Sequence, residues 1–325
     1  MYLRVTKEVS ALQQANHENI LRVYGWSEWE GSVAVVTELM RGRNLRFLLG
    51  DDRVPLRPVL RLRICTEIAT GIAYIHNIGE TKRLTHGDLK PENILLTADL
   101  HCKIGDFGGA RVIKRTTTRA TTSTDSLRHK QQITLVYAAP ERLRQISCRP
   151  KKEQDTYSYG LIVHGVLSRE GPDDFCADER RFVKAILRGE RPDCQTIDEQ
   201  EETLVEPDRE IYQVLRSLME RCWQDLPSDR PEMFRVRDDL QSLMEKPTMS
   251  SVTQAVTAAQ KKLRLFSTPD SNNNCLTLSR FNCRTRTFRA GKQYLSKLNP
   301  SRIERLCLDP SVISHIWLHD HPGIL

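Results

Sequence analysis

No stretch of these 325 residues is apolar enough to cross a membrane as a helix: apolar runs such as Val33–Val36 and Gly160–Val163 fall far short of the roughly 18 residues a span needs. The opening MYLRVTKEVSALQQ mixes charged and polar groups where a secretory leader needs an unbroken apolar segment, so the cytoplasm is the expected compartment. No C-x-x-C pair occurs, and the nine cysteines are odd in number and widely spread, which argues against zinc and predicts reduced, mostly buried thiols. Aromatic residues make up only 6%, and the net charge of +7 is unevenly placed along the chain. Residues 247–325 hold 11 Lys/Arg against 4 Asp/Glu, leaving 38 against 38 in residues 1–246. A basic tail without an aromatic-bearing basic face is weak support for nucleic acid, and none is expected as a partner.

What is present is an ordinary globular composition, 39% hydrophobic and 28% charged, with no internal repeat. Helical periodicity fades after Lys246-Pro247, which sets the expected boundary between residues 1–246 and a largely disordered tail, 247–325. Val5, Val9, Leu12 and Ala15 repeat at helical spacing, and Asn16-His17-Glu18-Asn19 stops that pattern. Ile20–Tyr24 and Ser32–Leu39, β-branched and bounded by Gly25 and Gly31, read as two antiparallel strands. Leu60–Asn77 reads as a long amphipathic helix with Leu60, Ile64, Ile68, Ile72 and Ile75 on one face. Residues 84–113 switch to short strands and loops, and Thr156–Val166, Phe182–Leu187 and Ile211–Gln224 return to helix. The fold class is α+β, with a small strand-bearing lobe and a large helical one.

The densest chemical signal is His86-Gly87-Asp88-Leu89-Lys90-Pro91-Glu92-Asn93, followed by Asp106-Phe107-Gly108 eighteen residues after Asp88. Taken singly, these residues could be turn caps and loop supports. Their order argues otherwise, because Ala139-Pro140-Glu141, Asp155-Thr156-Tyr157-Ser158-Tyr159-Gly160, Cys222-Trp223 and Arg230-Pro231 follow in sequence. The set resembles the catalytic domain of protein kinases, in which one carboxylate meets the substrate hydroxyl while an amide and a second carboxylate grip magnesium on the ATP phosphates.

That resemblance covers about three quarters of the chain and implies a bilobal kinase-like fold with an N-lobe remnant and hinge at 1–40 and a mainly helical C-lobe at 41–246. It implies Mg-ATP as cosubstrate, Asp88 as base, Lys90 at the transferring phosphate, and Asn93 and Asp106 as metal ligands. Thr37, Glu38 and Met40 resemble the gatekeeper and hinge that hold adenine, with Leu95 flooring the pocket. Glu141 is expected to pair with Arg230, and Asp155 to accept hydrogen bonds from the catalytic-loop backbone. Glu8 sits where kinases place the glutamate that pairs with the ATP-holding lysine. Leu12 and Val23 match two members of an apolar stack through His86 and Phe107. Thr134 resembles the threonine that touches the catalytic loop. Lys90 favours Ser/Thr specificity.

Two departures stand against the pattern. Only seven residues precede Glu8, so the glycine-rich loop and the lysine strand are expected to be missing, and one lost phosphate contact of that kind costs roughly 2.7–4 kcal/mol, at least about a hundredfold in rate. Gly87 replaces the usual arginine, which removes one reader of activation-loop phosphate and resembles kinases of the receptor-interacting and interleukin-receptor-associated type. Arg111 then lies where some kinases keep a second phosphate-binding cation, near the threonine-rich stretch Thr116–Ser126. The expected activity is phosphoryl transfer to Ser/Thr of protein substrates. A catalytically impaired scaffold that meets signalling partners through its helical lobe, and an incomplete gene model of an active enzyme, stay open as alternatives. His315, His319 and His321 cluster near Trp317, but no Cys or acidic ligand is placed to complete a firm tetrahedral metal set.

Overall fold

The computed structural model describes residues 16–29, 32–78, 82–106, 111–114, 135–145, 150–172, 178–246, 249–264 and 315–318. The expected opening helix, with Glu8 and Leu12, lies outside the described residues, as do Phe107 and Thr134. The chain forms two compact units: residues 1–41 with 268–325, and residues 42–267. Among the described residues no helix is long and apolar enough to cross a membrane.

In the first unit, β1 (Val23–Trp29) and β2 (Ser32–Thr37) pair antiparallel from Val23↔Thr37 to Trp29↔Ser32. The first strand starts later than the sequence suggests, and Gly25 lies inside it. The register shifts between Val23 and Gly25, so this glycine marks a bulge in the ladder and not its end. A further strand, β7 (His315–Leu318), lies along the other side of β2, giving the order β1-β2-β7.

The second unit is helical. A short α1 (Leu45–Leu49) is capped by Asn44, whose side chain accepts from Phe47 N–H at 2.9 Å. The long α2 (Pro58–Asn77) starts with proline at its first position, where a missing N–H costs nothing. It is buried on nearly every side, not on one face, because α4 (Lys152–Ser168), α7 (Asp208–Cys222) and α8 (Met233–Met244) all pack on it. Its two arginines are buried as well and donate to carbonyls of other segments. Arg61 donates to Leu56 O at 2.8 Å and to Val166 O and Leu167 O at the end of α4, while Arg63 donates to Asp99 O and Leu100 O. Burial lowers the pKa of Arg61.

The helix α4 is buried from Gln154 to Ser168, with Tyr159 donating to Cys65 O at 3.0 Å. A Cβ at Gly160 would lie 3.1–3.2 Å from Cys222 and Trp223, so α7 approaches α4 closely at that point. Two β-pairs border the helices: β3 (Lys82–Thr85) with β6 (Arg111–Lys114), and β4 (Ile94–Leu96) with β5 (Cys102–Ile104). Helices α3 (Pro140–Arg144), α5 (Glu179–Leu187) and α6 (Gln195–Thr203) complete this unit together with α9 (Met249–Arg264). The last of these falls in the segment read above as a disordered tail. Val252, Ala255, Val256 and Ala259 give it a buried stripe at helical spacing, and α9 packs on α2. The described cysteines Cys65, Cys102, Cys194 and Cys222 are in no disulfide, and burial pushes the Cys65 and Cys222 thiols up to about 12.

Candidate active site

The site is assembled on one short β-hairpin and the loop before it. The pair Ile94↔Ile104 closes the hairpin of β4 and β5. That pairing brings the two ends of the motif together: Gly105 N–H donates to Asn93 O at 2.9 Å, so Asp106 emerges beside Asn93 although it lies thirteen positions further along the chain. Asn93 ends a 3-10 turn begun by Pro91 and is buried. Its amide nitrogen donates to Asp88 O at 2.8 Å and approaches Asp88 Oδ2 at 3.5 Å. With the Nδ2 group committed to Asp88, the amide oxygen is the atom left to face a cation. Lys90 Nζ lies 3.1 Å from Asp88 Oδ2, both side chains being partly exposed.

His86 joins the two halves. Its Nε2 lies 2.9 Å from Gly105 O and its Nδ1 lies 3.3 Å from Asp88 N, an arrangement satisfied when Nε2 carries the proton. The backbone here is unusual at two points. Gly87 has φ +78° and Asp106 φ +52°, both in the left-handed region. Glycine adopts it freely, whereas a side chain pays roughly 1–2 kcal/mol. The glycine therefore has a local conformational reason, separate from the loss of an arginine side chain.

Behind the loop, Asp155 on α4 is only 1% exposed and accepts three contacts. Its Oδ2 takes His86 N–H at 2.8 Å and lies 2.9 Å from His76 Nε2; its Oδ1 takes Gly87 N–H at 2.9 Å. The loop that carries Asp88 is thus fixed to the core helix through backbone groups. His76, in the last turn of α2, was not singled out from the sequence, because a lone histidine in a helical repeat carries no signal of its own.

A second fastening lies farther along. Arg230 binds Glu141 through two parallel bonds of 2.8 Å and also donates to Gln224 O, Glu153 O and Asp225 O. The Arg230 side chain is fully buried and all its nitrogens are used. Tyr157 lies under it, with the guanidinium carbon 5.0 Å from the ring centre, and burial pushes that phenol up to about 12.

In the first unit, Thr37 and Met40 are buried, and Glu38 is tied to Arg22 by two bonds: Glu38 N–H to Arg22 O at 3.0 Å and Arg22 N–H to Glu38 Oε1 at 2.8 Å. Leu95 is buried in the second unit and bridges Asn44. The Arg111 backbone pairs with Thr85, next to His86, but its side chain lies outside the described residues. Among the described residues no group of three or more His, Cys, Asp or Glu could hold a metal by itself. The donor set of one amide oxygen and one partly exposed carboxylate fits magnesium, which is held by one or two carboxylates plus the phosphates of its substrate.

Comparison with known proteins agrees with this geometry. The family model of the protein kinase domain matches residues 2–242. Receptor-interacting serine/threonine-protein kinase 1 of Homo sapiens is 29% identical over 295 residues, covering 83% of this chain and 41% of that protein. Receptor-interacting serine/threonine-protein kinase 4 of Mus musculus is 32% identical over 255 residues, covering 75% of this chain and 29% of that protein. Receptor-interacting serine/threonine-protein kinase 3 of Homo sapiens is 26% identical over 323 residues, covering 93% and 60%. The chain spans less than two thirds of the length of each of these relatives.

Proposed function

The chain belongs to the protein kinase domain family, of the receptor-interacting serine/threonine type, and on that premise we propose that it transfers the ATP γ-phosphoryl group to Ser/Thr hydroxyls of protein substrates. One observation supports this most: the hairpin bond from Gly105 N–H to Asn93 O sets Asp106 beside the loop in which Asn93 and Lys90 flank Asp88. Asp88 accepts the hydroxyl proton of the substrate, a role that requires a carboxylate held in place yet open to solvent on one side. Lys90, already beside that carboxylate, carries the positive charge that meets the transferring group. Asn93 and Asp106 hold magnesium, which when bound neutralises charge on the phosphates.

Thr37, Glu38 and Met40 offer the adenine its contacts. Asp155, His86, Glu141 and Arg230 act as positioning residues, since each holds a backbone or an element and none is proposed to touch substrate. The cytoplasm is the proposed compartment.

Nucleotide affinity measured with and without magnesium tests the reading. The full chain binds ATP more tightly with magnesium than without, and Asp106→Asn removes most of that difference while leaving the metal-free affinity unchanged. Affinity that ignores magnesium in the unsubstituted chain contradicts the assignment of Asn93 and Asp106.

A further inference from the structure

The strand β7 comes from a part of the chain that the kinase reading leaves unused. It pairs antiparallel with β2 through Ala34↔Leu318, Val35↔Trp317, Val36↔Ile316 and Thr37↔His315. The grouping of this strand with residues 1–41 in one compact unit is in keeping with that pairing. Without β7, the side of β2 away from β1 would present a row of unpaired amide and carbonyl groups, an edge that accepts any extended peptide. Ile316 and Trp317 at the centre of the segment are residue types enriched in strands.

The position of the pairing gives it a consequence. Its last pair is Thr37, which is also paired with Val23 on the other side, so the backbone is held from both flanks at that residue. Glu38 follows directly and is tied to Arg22. We propose that His315–Leu318 is an intramolecular strand ligand of the β2 edge, and that its docking fixes the stretch Thr37–Met40 and raises the affinity of that stretch for nucleotide. The nucleotide part rests on the function proposed above; the docking part does not.

The occupant is the chain's own tail because covalent connection raises its local concentration to the millimolar range, which a separate peptide must match. A pairing of four residues is short, so the strand exchanges instead of locking, and the edge is open to competition. This makes the C-terminal segment a cover that an extended peptide of similar composition can displace.

Amide hydrogen exchange on the full chain, compared with Ile316→Pro and Trp317→Pro, provides the test. Successive amides of an antiparallel strand point to opposite sides, so one of the two prolines must remove a donor to β2. The expected result is at least tenfold faster exchange at the Ala34–Thr37 amides that point away from β1 in at least one variant. A synthetic peptide of residues 311–322 at millimolar concentration restores the protection. The same variant binds ATP at least threefold more weakly.

Unchanged exchange along β2 in both variants overturns the docking. Protection that rises with protein concentration, in step with a dimer in sedimentation, overturns the intramolecular occupant in favour of the tail of a second copy. Faster exchange with unchanged ATP affinity overturns the coupling to Thr37–Met40. A full chain that binds no nucleotide overturns both the coupling and the function proposed above, while exchange still decides whether the strand docks.

Discussion

Single residues set the tolerance of this site, and Asp155 and Arg230 show how. Neither is placed to touch substrate, yet Asp155 fixes the backbone of His86 and Gly87, and Arg230 ties Glu141 to carbonyls at Glu153, Gln224 and Asp225. Arg230→Lys can satisfy at most three of these acceptors and loses the planar fork, so it is expected to cost at least about 2 kcal/mol of unfolding free energy. Urea denaturation of the two proteins measures it, and equal midpoints contradict the structural role. Gly87→Ala tests the backbone argument. At φ +78° the added Cβ is strained, and a loss of about 1 kcal/mol is expected in the same assay. The spacing of motifs singles out Asp88, Asn93 and Asp106 in the sequence. His76 was invisible, because its contact with Asp155 is made across 79 positions of chain and depends on how two helices pack.

At the scale of elements, short-range pattern revealed existence better than environment. The periodicity of α2 was plain, but it suggested one buried face, whereas the helix is surrounded and its arginines are buried because they bond to carbonyls of other segments. The sequence reading does not contain helices α1, α3, α6, α8 and α9, and α9 lies where Ser, Thr and basic residues mask a stripe of small apolar ones. The first sheet strand was misplaced because glycine was read as a boundary when it marked a bulge.

The helix α4 also carries a titrating group. His164 is buried, with Nε2 donating to Asp193 O at 2.7 Å, and burial lowers its pKa despite Asp193 and Glu170 nearby. The folded value lies below the unfolded one, so this contribution is complete above about pH 6.5 and is lost as pH falls through the lowered folded value. Urea midpoints between pH 7.5 and 5 are expected to fall less steeply in His164→Gln, which keeps a donor and does not titrate. Parallel profiles for the two proteins contradict this.

For the whole molecule, the order of motifs from His86 to Arg230 identified the family, since one order of that length is far more specific than any of its short pieces. The same order said nothing of the tail, whose strand joins a sheet formed by residues almost 280 positions earlier. Pairing at that separation leaves no local signature. The central claim, that Asp88 serves phosphoryl transfer to Ser/Thr hydroxyls, is tested most directly by phosphate incorporation into a generic basic protein by the full chain and by Asp88→Asn, with phosphoamino-acid analysis of the product. The account predicts slow transfer to Ser/Thr and at least a tenfold loss in a variant that keeps the unsubstituted unfolding midpoint. Equal incorporation by the two proteins, or phosphate found on Tyr alone, would contradict it.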